Sequence, residues 1–123
     1  MIELKELDAQ GIVIALPEGP LSTEDFDRMD HFLGKYIKTH KKETKLLIQS
    51  ELFPGWTSPS SFYKHLEFIQ KYKNKIYKIA VVTNSYMGAM APYMAKWLTG
   101  IEVKHFLLKD EDLAIHWLNK KLN

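Results

Sequence analysis

The sequence predicts an α/β fold, a mixed sheet of about five strands carrying about four helices, within a single domain over residues 1–123. Two short apolar runs around a glycine-ended turn open the chain. After them, apolar runs of strand length alternate with amphipathic stretches of helical period as far as the C-terminus. A length of 123 residues is that of one ordinary domain, and it is enough to bury a core.

Each element has a local reason. Ile2, Leu4 and Leu7 form the first run, Asp8-Ala9-Gln10-Gly11 the turn, and Ile12 to Leu16 the second strand. Strands this close pair as an antiparallel hairpin. Pro17 and Pro20 end it, because proline cannot donate to a ladder. Ser22-Thr23-Glu24-Asp25 supplies a cap and first-turn acids for a helix. Phe26, Met29, Leu33, Tyr36, Ile37 and His40 then recur at helical spacing, with Asp27, Arg28 and Lys35 opposite. Lys45 to Gln49 reads as a buried strand. Ser58 as N-cap and Pro59 at the first helical position start the second helix. Phe62, Leu66 and Ile69 are expected on its inner face, and its end is near Lys73-Asn74.

The run Ile79 to Thr83 predicts a strand buried on both faces. Asn84 and Ser85 can cap a third helix, about Tyr86 to Leu98, which Gly100 stops. Pro92 lies inside that pattern and should kink the helix or mark its true start. Ile101 to Leu108 is a further strand. Asp110 is expected to cap a last helix with Leu113, Ala114, Trp117 and Leu118 on one face. Alternation after the hairpin implies right-handed crossovers and a mostly parallel sheet.

Composition narrows the function classes. Hydrophobic residues make 46% of the chain, charged residues 26%, and the formal net charge is +2 with mixed signs throughout. A nucleic-acid binder would concentrate its basic charge on one face, so no nucleic-acid partner is expected. The absence of cysteine excludes disulfides, thiolate metal sites and cysteine nucleophiles. The start Met1-Ile2-Glu3-Leu4-Lys5-Glu6 shows no signal-peptide pattern, and no apolar run reaches the ~20 residues of a membrane span. A cytoplasmic location is the expectation.

The most informative stretch is Ser50-Glu51-Leu52-Phe53-Pro54-Gly55-Trp56-Thr57-Ser58-Pro59-Ser60-Ser61. It leaves the carboxyl end of a strand and feeds a helix N-terminus, where open α/β sheets place their sites. Helix amides there favour an anion or a phosphorylated hydroxyl. Ser50 and Ser58 are the phosphorylation candidates, with helix capping as the structural alternative for Ser58. Phe53 and Trp56 either clamp a ligand or tuck into the core. The third helix has one charge, and Met87, Met90, Met94 and Trp97 share one stripe. A helix apolar nearly all round is buried on more than one side: a thick core contact, a homodimer interface or a pocket wall. His31, His40, His65, His105 and His116 show no metal-ligand spacing, and G-x-S-x-G, Walker A and G-x-G-x-x-G are all absent. No catalytic residue, metal or cofactor is indicated.

Several segments carry a family likeness: Met1-Ile2-Glu3-Leu4, Leu21-Ser22-Thr23-Glu24-Asp25-Phe26, the Phe53-Pro54-Gly55-Trp56 loop, Lys78 to Thr83, and Glu111 to Leu118. On these the chain resembles the SpoIIAA-like family of small bacterial proteins, with a STAS-like fold also grouped with SEC14 (CRAL-TRIO) lipid-binding folds. The resemblance implies a non-enzymatic binding or regulatory module that recognises a protein partner or a small amphipathic ligand. A SEC14-type lipid or fatty-acyl carrier is the alternative, and a phosphorylation-controlled anti-sigma-antagonist-like regulator the third reading. STAS regulators carry an Asp-Ser-hydroxyl-Gly motif where the strand feeds the second helix, and it is absent here. The apolar surplus of the third helix adds the expectation of a homodimer through that helix or an exposed sheet edge, and of a cavity between the Phe53–Trp56 loop and the third helix, opening toward the amides after Ser58.

Overall fold

The computed structural model describes residues 1–7, 10–40, 43–85, 89–90, 92–93, 96 and 99–120. Strands β1 (Ile2–Leu7) and β2 (Ile12–Pro17) are followed by helix α1 (Thr23–His40), β3 (Thr44–Gln49), α2 (Pro59–Tyr72), β4 (Ile76–Val82) and β5 (Glu102–Phe106). A 3₁₀ turn, Leu108–Asp110, leads into α3 (Glu111–Asn119). The five strands form one sheet in the order β1-β2-β3-β4-β5. The β1–β2 pair is antiparallel and the other three pairs are parallel, the mixed α/β sheet that the alternation predicts.

Period-two alternation divides the core between the two faces of the sheet. Val13, Ala15 and Leu46 pack with Phe26, Met29 and Leu33 of α1 and Tyr72 of α2. Ile12, Leu47, Ala80 and Val82 pack on the other face with Ala114 and Leu118 of α3. The β1–β2 turn depends on Gly11, whose φ is +71° and whose missing side chain faces the Glu43 carbonyl. Asp8 and Ala9 of that turn lie outside the described residues.

Helix α1 opens with a reciprocal box. The Asp25 amide donates to Ser22 Oγ at 3.2 Å, and the Ser22 amide donates to Asp25 Oδ2 at 2.8 Å. Burial raises the Asp25 pKa, but the Ser22 donors and the Met1 ammonium outweigh it and hold the carboxyl below its usual range. Helices α1 and α2 are joined through Asp30, which accepts from Lys71 at 2.8 Å and from the Tyr72 hydroxyl. Lys71 first, then Tyr72, lower the Asp30 pKa.

Helix α2 presents a different face from the one its aliphatic residues suggest. Ser61 and Tyr72 are buried and Phe68 joins the core, whereas Phe62 is 39% exposed and Leu66 36%. The inward row is thus Ser61, His65, Phe68 and Tyr72, at i, i+4, i+7 and i+11. Two specific contacts decide it: Tyr72 reaches Asp30, and His65 stacks on Phe26 with centroids 4.9 Å apart. In α3, Ala114 and Leu118 are buried but Leu113 is exposed, and Asp110 makes no side-chain cap bond. Just before the run expected to be buried on both faces, β4 carries a buried lysine. Lys78 donates to the carbonyls of Trp117 and Lys120 at the end of α3 and lies 4.8 Å from the Trp117 ring centroid. A cation at a helix C-terminus complements its dipole.

Where the third helix is expected, Ala89, Met90, Pro92, Tyr93, Lys96 and Thr99 are helical. The Ala89 amide donates to the Ser85 carbonyl at 3.2 Å, so the helix begins before Pro92. Met90 is 54% exposed. Met87, Met94 and Trp97 lie outside the described residues.

Candidate functional site

The parallel strands end together beneath the segment that joins β3 to α2, and that segment is fixed at several points. The Leu21 amide donates to the Gly55 carbonyl and the Thr57 amide to the Leu21 carbonyl, each at 2.9 Å. This short parallel bridge pairs Trp56 with Leu21, ahead of α1. Gly55 makes the bend at φ +70°, a conformation that favours glycine. Ser50 donates its hydroxyl to the Leu52 carbonyl, and Thr83 donates to the Glu51 carbonyl at 3.4 Å.

Under this strap lies a cavity of about 180 Å³. Ala15, Ile48 and Val81 come to it from the sheet, Phe26 and Met29 from α1, and His65 from α2. Phe53, Pro54 and Trp56 cover it. Among the described lining residues none is charged; Ser50, Thr83 and His65 are polar, and the Trp56 indole carries an N–H.

One polar pair organises the cover. The Trp56 indole N–H donates to His65 Nδ1 at 3.1 Å. An imidazole that accepts at Nδ1 carries its proton on Nε2 when neutral. Burial pushes the His65 pKa down to about 4, so the ring is neutral at physiological pH. Phe53 meets Trp56 edge-on at 5.6 Å, and Trp56 meets Phe62 edge-on at 4.9 Å. Trp56 therefore packs against the core while also lining the cavity.

The α2 N-terminus is occupied by its own cap. Ser58 Oγ accepts from the Ser61 amide at 3.1 Å, and the Ser58 amide donates to Ser61 Oγ at 3.1 Å. Pro59 has no N–H, and the Phe62 amide donates to the Ser58 carbonyl at 3.2 Å. The Ser61 amide, one of the first-turn donors on which an anionic head would draw, is thus taken by the cap. The capping pair also engages the Ser58 hydroxyl, and the Leu52 carbonyl engages that of Ser50.

Of the residues singled out in the sequence, Phe53, Trp56 and Ser50 line the cavity and Ser58 caps the helix beside it. Among the described lining residues none comes from the third helix. His65, Phe26 and Met29 complete the walls. His65 carries no motif, and its one signal is its place in the row Ser61, His65, Phe68, Tyr72. Among the described residues no three His, Asp or Glu side chains gather as a metal set, and no helix is long and apolar enough to cross a membrane.

No curated protein matches the chain. Among solved structures, the fold is similar to an uncharacterized protein from the DUF3478 family with a SpoIIAA-like fold from Shewanella loihica PV-4. The TM-score is 0.75 and the identity 21%, over 96% of this chain and 92% of that one. At that identity the likeness shows the shared fold. The SpoIIAA-like family model matches residues 12–119, from the start of β2 to the end of α3. With the match running through every element that builds the cavity except β1, the chain belongs to the SpoIIAA-like family.

Proposed function

We propose that the protein is a non-enzymatic binding module whose cavity, beneath the strap of residues 50–57, takes a small, mainly apolar ligand. The observation that carries this is the cavity itself: about 180 Å³, uncharged along its described lining, at the carboxyl ends of the parallel strands. Ligand sites in open α/β sheets favour that end. An apolar cavity of about 150 Å³ holds one benzene, so this one suits roughly seven heavy atoms. A long acyl chain exceeds it, which separates this reading from a lipid carrier. The hydroxyls of Ser50 and Ser58 already serve local bonds, to the Leu52 carbonyl and from the Ser61 amide, which supports structural roles for both.

A chain-length series of primary alcohols from butanol to hexadecanol, followed by tryptophan fluorescence, tests the size. Affinity should rise by about 0.8 kcal/mol for each buried methylene and level off once the cavity is full. A steady rise through hexadecanol would favour the acyl carrier. No saturable binding at any length would remove the cavity reading.

The outer face of α2 favours a second reading, docking of a protein partner. Phe62, Tyr63 and Leu66 are exposed on one stretch of the helix, and Leu52 and Phe53 are exposed on the strap. Such clustered apolar residues mark interaction surfaces. A homodimer through this ridge is one form of it. A monomer by sedimentation at micromolar concentration would exclude that form.

A further inference from the structure

We infer that the cavity selects uncharged ligands that combine a compact apolar body with one hydrogen-bond acceptor, a carbonyl or ether oxygen, bound by the Nε2–H of His65. This rests on reading the cavity as a ligand site and names what the site would recognise.

The argument is an account of the polar groups on the cavity wall. Ser50 spends its hydroxyl proton on the Leu52 carbonyl, and Thr83 spends its own on the Glu51 carbonyl. The Trp56 indole N–H is spent on His65 Nδ1. His65 Nε2 is bonded by no described group. Among the described residues no buried side-chain nitrogen or oxygen lacks a partner, so Nε2 is accessible, on a ring that lines the cavity. Trp56 holds the tautomer by occupying Nδ1, which makes Nε2 a donor. Stacking on Phe26, at 4.9 Å and 20° between planes, fixes the ring.

Charge selection follows from the same wall. A carboxylate or ammonium transferred into an apolar site needs a paired charge, and no described lining residue supplies one. Burial also keeps His65 neutral, with its pKa near 4, so the ring offers a dipole and not a counter-ion at neutral pH. An uncharged oxygen loses far less on leaving water and regains one bond at Nε2.

Three probes of similar girth separate the possibilities: cyclohexanone, methylcyclohexane and cyclohexanecarboxylate, titrated by protein-observed NMR at pH 7 into the wild type and His65→Phe. Phenylalanine keeps a ring against Phe26 and removes the donor. Cyclohexanone should lose roughly tenfold in affinity in the variant, methylcyclohexane should bind both proteins equally, and the carboxylate should bind neither. Cyclohexanone binding unchanged by the substitution would overturn the inference while leaving the cavity a ligand site, as would tighter binding of the carboxylate than of the ketone. If neither neutral probe binds the wild type, the cavity reading itself fails. Nitrogen-15 shifts of the wild-type imidazole keep the test independent of the variant's folding. They should report Nε2 protonated in the free protein and shifting with cyclohexanone. An Nδ1-protonated ring, or an Nε2 that does not respond, would contradict the proposal.

Discussion

His65 shows how one side chain takes its properties from its neighbours. Trp56 occupies Nδ1, Phe26 covers one ring face, and burial lowers the pKa from 6.5 to about 4. An unfolded chain binds a proton on this ring below pH ~6.5, and the folded chain does so only below about 4. In that window the unfolded state holds more protons, so stability rises with pH. The contribution is fully present above pH ~6.5 and is lost as the pH falls toward 4, amounting to about 3 kcal/mol. Urea unfolding at pH 7 and pH 4 should show it as a difference in pH dependence between the wild type and His65→Phe. Equal pH dependence in the two proteins would mean that the imidazole is not held neutral. No sequence motif marks this residue. Its role arises when α1 and α2 bring Phe26, Trp56 and His65 together.

At the scale of elements, the signals that were legible are those with strictly local causes. Ser58 and Pro59 fix the start of α2, Ser22 and Asp25 that of α1, and Gly11 the hairpin turn. Ser58→Ala should cost about 1 kcal/mol by thermal or urea unfolding. Gly11→Ala should cost more than ~1 kcal/mol, because the residue has φ +71° and its new Cβ would stand 2.7 Å from the Glu43 carbonyl oxygen. The orientation of α2 was not legible. Its apolar residues Phe62, Leu66 and Ile69 fit one helical face, but the inward row is Ser61, His65, Phe68 and Tyr72. A tertiary partner, Asp30, turns Tyr72 inward, and the small Ser61 allows close approach beside the cap. Phe68→Ala should therefore cost about 3 kcal/mol and Leu66→Ala less than ~1 kcal/mol in the same unfolding assay. A larger cost for Leu66→Ala than for Phe68→Ala would place α2 the other way round. Lys78 has the same kind of origin: a buried strand position takes a cation because the carbonyls at the end of α3 lie over it.

For the whole molecule, alternation of period two and period 3.6 was enough to predict the mixed sheet, the hairpin and the parallel order. That topology also places the cavity where open α/β sheets favour a site, at the carboxyl ends of the strands. The content of the site did not follow from it, because a cavity is what remains after side chains from β1, β2, α1, β3, α2 and β4 have been packed around it. For Phe53 and Trp56 the sequence left clamping a ligand and tucking into the core open; Trp56 packs against the core and both line the cavity. The anion-binding expectation relied on the amides after Ser58, and the Ser58–Ser61 cap takes that of Ser61.

The central claim, that this apolar cavity admits a small ligand, is tested most directly by titrating benzene into the wild-type protein and following methyl NMR resonances. Binding in the cavity predicts saturable shifts concentrated at Ala15, Met29, Ile48 and Val81, which line it. They should disappear in Ala15→Leu, whose longer side chain fills the floor. Shifts that never saturate, or that collect instead at Leu66 and the outer face of α2, would contradict it.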